Sequence, residues 1–160
     1  DRSVSRGLGD VYKRQDKDRF RSKYLDIPNA PLYPFGYGLS YTTFTVSEVS
    51  LNKDSMKDGE SIRAAVTVKN TGTCAGNETI KMYLHDVAAS VVRPVKELKD
   101  FRKVTLQPEE EVRVGFTITE PQLCFLSENN IFESEAGIFE IFIGTDSTTT
   151  NKAKFTLEKQ

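Results

Sequence analysis

Apolar and polar residues alternate along much of this chain with the two-residue period of a strand that buries one face. From Ser61 to Asn70, Ile62, Ala64, Val66 and Val68 fall on one side, and Arg63, Thr67 and Lys69 on the other. Val112, Val114, Phe116 and Ile118 alternate with Glu111, Arg113, Gly115 and Thr117 in the same way, the clearest strand in the sequence. Between Glu78 and Asp86 the pattern points Ile80, Met82 and Leu84 inward and Lys81, Tyr83 and His85 outward. Phe101, Val104 and Leu106 mark a further strand, closed by Gln107-Pro108-Glu109. Ile138 to Ile143 is apolar at nearly every position, as in a strand covered on both faces. Ala153, Phe155 and Leu157 form the last alternating set.

The punctuation between these runs is turn chemistry rather than helix. Lys57-Asp58-Gly59-Glu60, Asn70-Thr71-Gly72, Glu128-Asn129-Asn130 and Gly144-Thr145-Asp146-Ser147 each read as a turn or loop. Phe44 and Val46 lie on one face while Val49 and Leu51 lie on the other, which requires a bulge or bend near Ser47. Val87 to Lys99 is the least regular central segment, and its Pro94 excludes a central strand position. Leu123, Phe125 and Leu126, after Pro121, suggest a corner. About seven short strands with no convincing amphipathic helix predict an all-β chain, an antiparallel sandwich of immunoglobulin type. The tryptophan and cysteine pair of antibody domains are absent.

One stretch does not fit this alternation. PLYPFGYGLSYTTF, from Pro31 to Phe44, holds Tyr33, Phe35, Tyr37, Tyr41 and Phe44 and no charged residue. Pro31 and Pro34 favour extended backbone, and Gly36 and Gly38 allow sharp bends, so the stretch reads as an irregular clasp. Its rings need an apolar surface, either the edge of their own domain or a surface elsewhere. Residues 16–43 are therefore read as an extended, aromatic-rich leader and residues 44–160 as the sandwich. The first fifteen residues, DRSVSRGLGDVYKRQ, carry no apolar periodicity and resemble a translated adapter sequence. They are read as non-native and set aside, the alternative being a natural basic arm.

Composition narrows the chemistry. At 160 residues there is room for one core, and a barrel enzyme of roughly 250 residues does not fit. A net charge of −1 provides no general attraction to nucleic acid or anionic membrane. No apolar run approaches the roughly 20 residues of a membrane span, and an export signal would lie upstream. Cys74 and Cys124 stand apart without a motif and are expected as free thiols, and His85 has no companion that would complete a metal or catalytic set. No pair among the 23 acidic residues is nominated for acid/base work, and Glu109-Glu110-Glu111 reads as a solvated rim. There is no nucleophile elbow and no phosphate loop, so no cofactor and no metal is expected. Asn77-Glu78-Thr79 matches the short glycosylation acceptor pattern. A sugar-binding module would need a row of exposed rings. The strands offer only Tyr83, so the clasp alone could supply that row.

Four motifs in order then carry a resemblance: PLYPFGYGLSYTTF, VTVKNTGTCAGNETIKMYLHD, SVVRPVKELKDFRKVTL and GIFEIFIGTDS. Together they resemble the C-terminal fibronectin type III-like domain of family 3 glycoside hydrolases, and bacterial periplasmic β-glucosidases in particular. The sequence departs from that pattern at Cys74, at Asp100 where the family often has glycine, and at Ala136 where it often has proline. The resemblance implies a parent enzyme, periplasmic or secreted, that hydrolyses β-glucosides with retention. Its aspartate nucleophile and glutamate acid/base would both sit on domains N-terminal to this one. No catalytic residue is thereby implied here. The partners it implies are the catalytic domains of the same parent chain, with Tyr33, Phe35, Tyr37, Tyr41, Asp86, Arg93 and Lys96 as the interdomain contact. If the clasp faces such domains, some of its rings should stand exposed in this chain. A free-standing carbohydrate-binding or structural module is the alternative.

Overall fold

The alternating runs become two facing sheets. This is a computed structural model in which residues 30–159 are described; the fifteen-residue stretch read as non-native and the leader up to residue 29 lie outside them. The chain divides into two units between Pro34 and Phe35, inside the aromatic stretch, and the sandwich belongs entirely to the second. Its strands are β1 (Phe44–Val46), β2 (Ser50–Leu51), β3 (Ser55–Lys57), β4 (Ser61–Asn70), β5 (Gly76–Asp86), β6 (Glu97–Leu106), β7 (Glu111–Thr119), β8 (Phe125–Leu126), β9 (Phe132–Glu133), β10 (Gly137–Gly144) and β11 (Lys152–Glu158). The one helical turn among the described residues, α1 (Glu120–Leu123), carries Pro121 in its first turn, where a missing N–H costs nothing.

In the first sheet β4 is central. β7 runs antiparallel along one side of it, from Ser61 opposite Thr119 to Lys69 opposite Glu111. β1 and β2 share its other side, with Val46 opposite Val68 and Ser50 opposite Ala65. Three residues, 47 to 49, thus oppose two, 67 and 66. This is the bend expected near Ser47, and it is held where Ser47 N donates to Thr67 O at 2.9 Å and Thr67 N to Ser47 Oγ at 2.8 Å. The extra residue reverses the side-chain parity. Phe44, Val46, Val49 and Leu51 all pack against the core as a result.

The second sheet runs β3-β11-β10-β5-β6, antiparallel except where β3 meets β11. Between the sheets, the inward residues of β4 and β7 meet Ile80, Met82 and Leu84 of β5, Phe139, Ile141 and Ile143 of β10, and Phe155 and Leu157 of β11. Phe139 and Phe155 stack at 5.4 Å between ring centroids. The all-β sandwich read from the sequence is the observed fold.

Two side chains depart from the alternation reading. Tyr83 does project outward from β5, yet it is only 2% exposed. Tyr83 sits opposite Phe142, itself buried, on the outer face of the second sheet. Burial pushes its phenol pKa up, with Asp146 adding to the effect. Phe101 is the converse case: it is exposed. Three positions separate it from Val104, so in an extended strand the two must lie on opposite faces. Arg102 takes the inward position instead and lays its guanidinium over the Phe116 ring at 5.6 Å. β6 also begins earlier than Phe101, at Glu97, and is bulged: Met82 faces Asp100 but Tyr83 faces Leu98, leaving Lys99 unopposed.

Candidate docking surface

The aromatic stretch enters the sandwich at Thr42, the point where its rings stop being exposed. Tyr33, in the first unit, is 67% exposed; in the second, Phe35 and Tyr37 are 62% and 50% exposed and Tyr41 fully so. Leu39, absent from the residues singled out by sequence, is 92% exposed. Its place in the odd-numbered series 35, 37, 39, 41 was the available signal. Large apolar groups exposed together along one short segment are a mark of an interaction surface. Phe44, the fifth ring, turns in and packs on the core.

What fixes the inner end of the stretch is a residue read from sequence only as a turn former. Asn70, at the end of β4, is fully buried, and its amide satisfies four groups. Its Oδ1 accepts from Thr42 Oγ1 at 2.6 Å and from Gly72 N at 3.0 Å. Its Nδ2 donates to Cys74 O at 2.8 Å and Leu106 O at 3.0 Å. Thr42 is thereby tied to the β4–β5 and β6–β7 connections together. Gly72 and Gly76 make room for it, since a Cβ on either would collide with the Thr42 side chain.

The charged candidates sit lower on the domain and turn inward. Arg93 is 9% exposed at its side chain and Asp86 4%, and they meet at 3.0 Å. The Arg93 guanidinium also binds Glu97 at 3.0 Å, reaches Leu123 O at 3.5 Å and covers the Phe125 ring at 4.6 Å. One side chain thus ties the irregular 87–96 segment to the ends of β5 and β6 and to the α1–β8 corner. Burial opposes ionisation of Glu97, but Lys99 and Arg93 outweigh it and hold the carboxyl below its ordinary value of 4.5. Lys96 Nζ lies over the Phe142 ring at 4.5 Å and donates to Ser147 O and Thr149 O. Burial lowers its pKa, while Asp146 pulls it back up. The structure therefore brings Asp86 and Arg93 together, places Lys96 separately against the β10–β11 turn, and engages all three within the sandwich.

No group of three or more His, Cys, Asp or Glu side chains among the described residues is placed to hold a metal. Cys74 and Cys124 are free thiols. His85 lies on the outer side of β5, across from Glu140, which is itself engaged by Lys152 at 2.8 Å. A shallow groove of about 440 Å³ crosses the outer face of the first sheet between Ser50, Asn52, Arg63, Arg113, Gly115 and Thr117. It offers no exposed ring on which a sugar could stack. No helix among the described residues is long and apolar enough to cross a membrane.

With this geometry in hand, comparison with known proteins gives a consistent result. Residues 78–147 match the model of the "Fibronectin type III-like domain". The chain is 46% identical over 149 residues to a periplasmic beta-glucosidase of Salmonella typhimurium, covering 93% of this chain and 20% of the relative. It is 44% identical over 127 residues to thermostable beta-glucosidase B of Acetivibrio thermocellus, covering 78% of this chain and 17% of that protein. Among solved structures, the beta-glucosidase of Listeria innocua superposes with a TM-score of 0.83 at 42% identity, over 91% of this chain and 20% of that one. The chain thus spans about a fifth of the length of the relatives it matches. Residues 78–147 carry a fibronectin type III-like domain, in a chain similar to about a fifth of the length of proteins named beta-glucosidases.

Proposed function

We propose that this chain is the non-catalytic, C-terminal module of a β-glucosidase and that it braces the catalytic domains of the same parent protein. Hydrolysis of terminal β-D-glucosyl residues then belongs to those domains, which carry the nucleophile and the acid/base. The observation that carries this reading is the exposure of Tyr33, Phe35, Tyr37 and Tyr41 at the N-terminal entrance to a domain whose relatives are about five times longer. Rings of this size bury 150–250 Å² each when covered, so a partner surface over them gains substantially. Asp86, Arg93 and Lys96 act in the same interface by fixing the backbone of its neighbouring segments, since their charges are already engaged within the sandwich. The name of the Salmonella relative supports a periplasmic or secreted location for the parent protein.

The same exposed rings favour one other reading, a free-standing sugar-binding module. Incubating the isolated chain with an aryl β-glucoside and titrating it with cello-oligosaccharides separates the possibilities. The bracing role predicts no turnover above blank and no saturable binding. Turnover would overturn the non-catalytic assignment, and saturable binding would favour the sugar-binding module.

A further inference from the structure

Two lysines on the outer side of the second sheet spend their ammonium groups on backbone carbonyls of one turn. Lys81 Nζ donates to Thr145 O at 2.5 Å and Thr79 O at 3.2 Å. Lys96 Nζ donates to Ser147 O at 2.9 Å and Thr149 O at 2.5 Å. Neither lysine has a carboxylate within salt-bridge distance among the described residues, although Asp146 acts on Lys96 through space. An unpaired ammonium group held against a sheet needs its hydrogen bonds from somewhere, and here the turn between β10 and β11 supplies them. The turn is consequently held to the sheet, with Lys96 lying over the Phe142 ring at 4.5 Å.

The same turn holds the start of the aromatic stretch. Ser147 N donates to Phe35 O at 2.9 Å. Gly36, at φ +87°, lies so close to Lys81 that a Cβ there would sit 2.7 Å from Lys81 Cε. Lys81 is therefore clasped between Gly36 and Thr145, and Phe35 is bonded to a turn that Lys96 secures from the other side. Two independent contacts, one polar and one steric, connect the lysines to residues 35 and 36.

We infer that Lys81 and Lys96 are positioning residues for the docking stretch: through the 145–149 turn they fix the backbone at Phe35–Gly36 and so set the direction in which Phe35 and Tyr37 face a partner. This rests on the reading that the stretch docks on the catalytic domains of the parent chain. The lysines touch no partner themselves. They convert a segment of prolines and glycines, which would otherwise sample many conformations, into one held against the sandwich, and so reduce the ordering cost paid on docking.

The test uses the full chain as wild type, as Lys81→Met/Lys96→Met and as Gly36→Ala, followed by amide hydrogen exchange. The lysine variant should speed exchange of the Ser147 amide and of peptides spanning 35–37 by about tenfold or more, with β4 and β7 keeping wild-type protection. Gly36→Ala, strained at its positive φ and pressed against Lys81, should loosen 35–37 with the lysines intact, and Lys96→Arg should retain most of the protection. In parallel, each form is added to the Salmonella relative truncated to remove the stretch this chain matches, and the lysine variant should bind about tenfold more weakly than wild type. Unchanged exchange in the lysine variant, or acceleration at the turn without any at 35–37, overturns the inference. If the wild-type chain itself fails to bind the truncated relative, it is the docking reading that fails, and the exchange data still decide whether the lysines hold the stretch.

Discussion

Arg93→Met is expected to destabilise the sandwich by about 3–5 kcal/mol, the cost of removing one partner from a buried ion pair. Asp86 is 4% exposed at its side chain and would be left with no cation facing it. Glu97 retains Lys99 at 2.7 Å and suffers less. The α1–β8 corner is affected too, because the guanidinium over Phe125 and its contact with Leu123 O disappear together. For a domain of this size the expected fall in Tm is on the order of 10–20 °C. The pair as a whole is worth much less than either half suggests, since desolvating two charges offsets most of their attraction. The double variant Asp86→Asn/Arg93→Met should therefore recover a large part of the loss. Urea unfolding of the two single variants and the double variant reads this directly, and additive losses would show that the two side chains do not act as a pair.

Asn70→Asp is the second large effect. The amide nitrogen that donates to Cys74 O and Leu106 O would be replaced by a carboxylate oxygen facing two carbonyls in a site with no solvent access. Losing two buried hydrogen bonds and gaining an unpaired charge or an acid that must stay protonated costs about 3 kcal/mol or more. Asn70→Ala removes all four contacts without adding charge and is expected to lose about 2–4 kcal/mol. What distinguishes Asn70 from an ordinary core residue is its bond to Thr42. Both variants should release the inner end of the aromatic stretch, seen as faster amide exchange at residues 42–44, while Thr42→Val should do the same at a smaller cost in stability. Wild-type protection at 42–44 in Asn70→Ala would show that Phe44 packing alone anchors the stretch.

The strands were legible because a two-residue period with apolar residues on one side is the mark of a half-buried strand and of little else. β4, β7 and the inward face of β5 lie where the alternation puts them. Even the bend at Ser47 followed from the mismatch in parity between Val46 and Val49. Alternation, however, reports only which side a residue faces and not what covers that side. Tyr83 is outward and yet buried, a tertiary outcome with no periodic signature. Arg93 and Lys96 stood out as charges in an irregular segment. Their identity gave no hint that one would fold under the 87–96 segment and the other over Phe142. Asn70 looked like turn punctuation because Asn-Thr-Gly is turn chemistry, and it does form that turn. Its second role depends on Thr42 and Leu106, 28 and 36 residues away. The aromatic stretch was the opposite case, conspicuous in sequence because its composition fits neither a strand nor a solvated loop.

The central claim is that this domain completes a larger enzyme through that stretch. It is tested most directly by grafting residues 30–160 onto the Salmonella periplasmic beta-glucosidase in place of the stretch they match, and measuring hydrolysis of an aryl β-glucoside beside the truncated enzyme. The account predicts that the truncated enzyme is inactive or unstable and that the graft restores activity. It also predicts that the same graft carrying Tyr33→Ser, Phe35→Ser, Tyr37→Ser and Tyr41→Ser loses activity while its sandwich unfolds at the wild-type urea concentration. Full activity in the ring-less graft, or in the truncated enzyme alone, would contradict it.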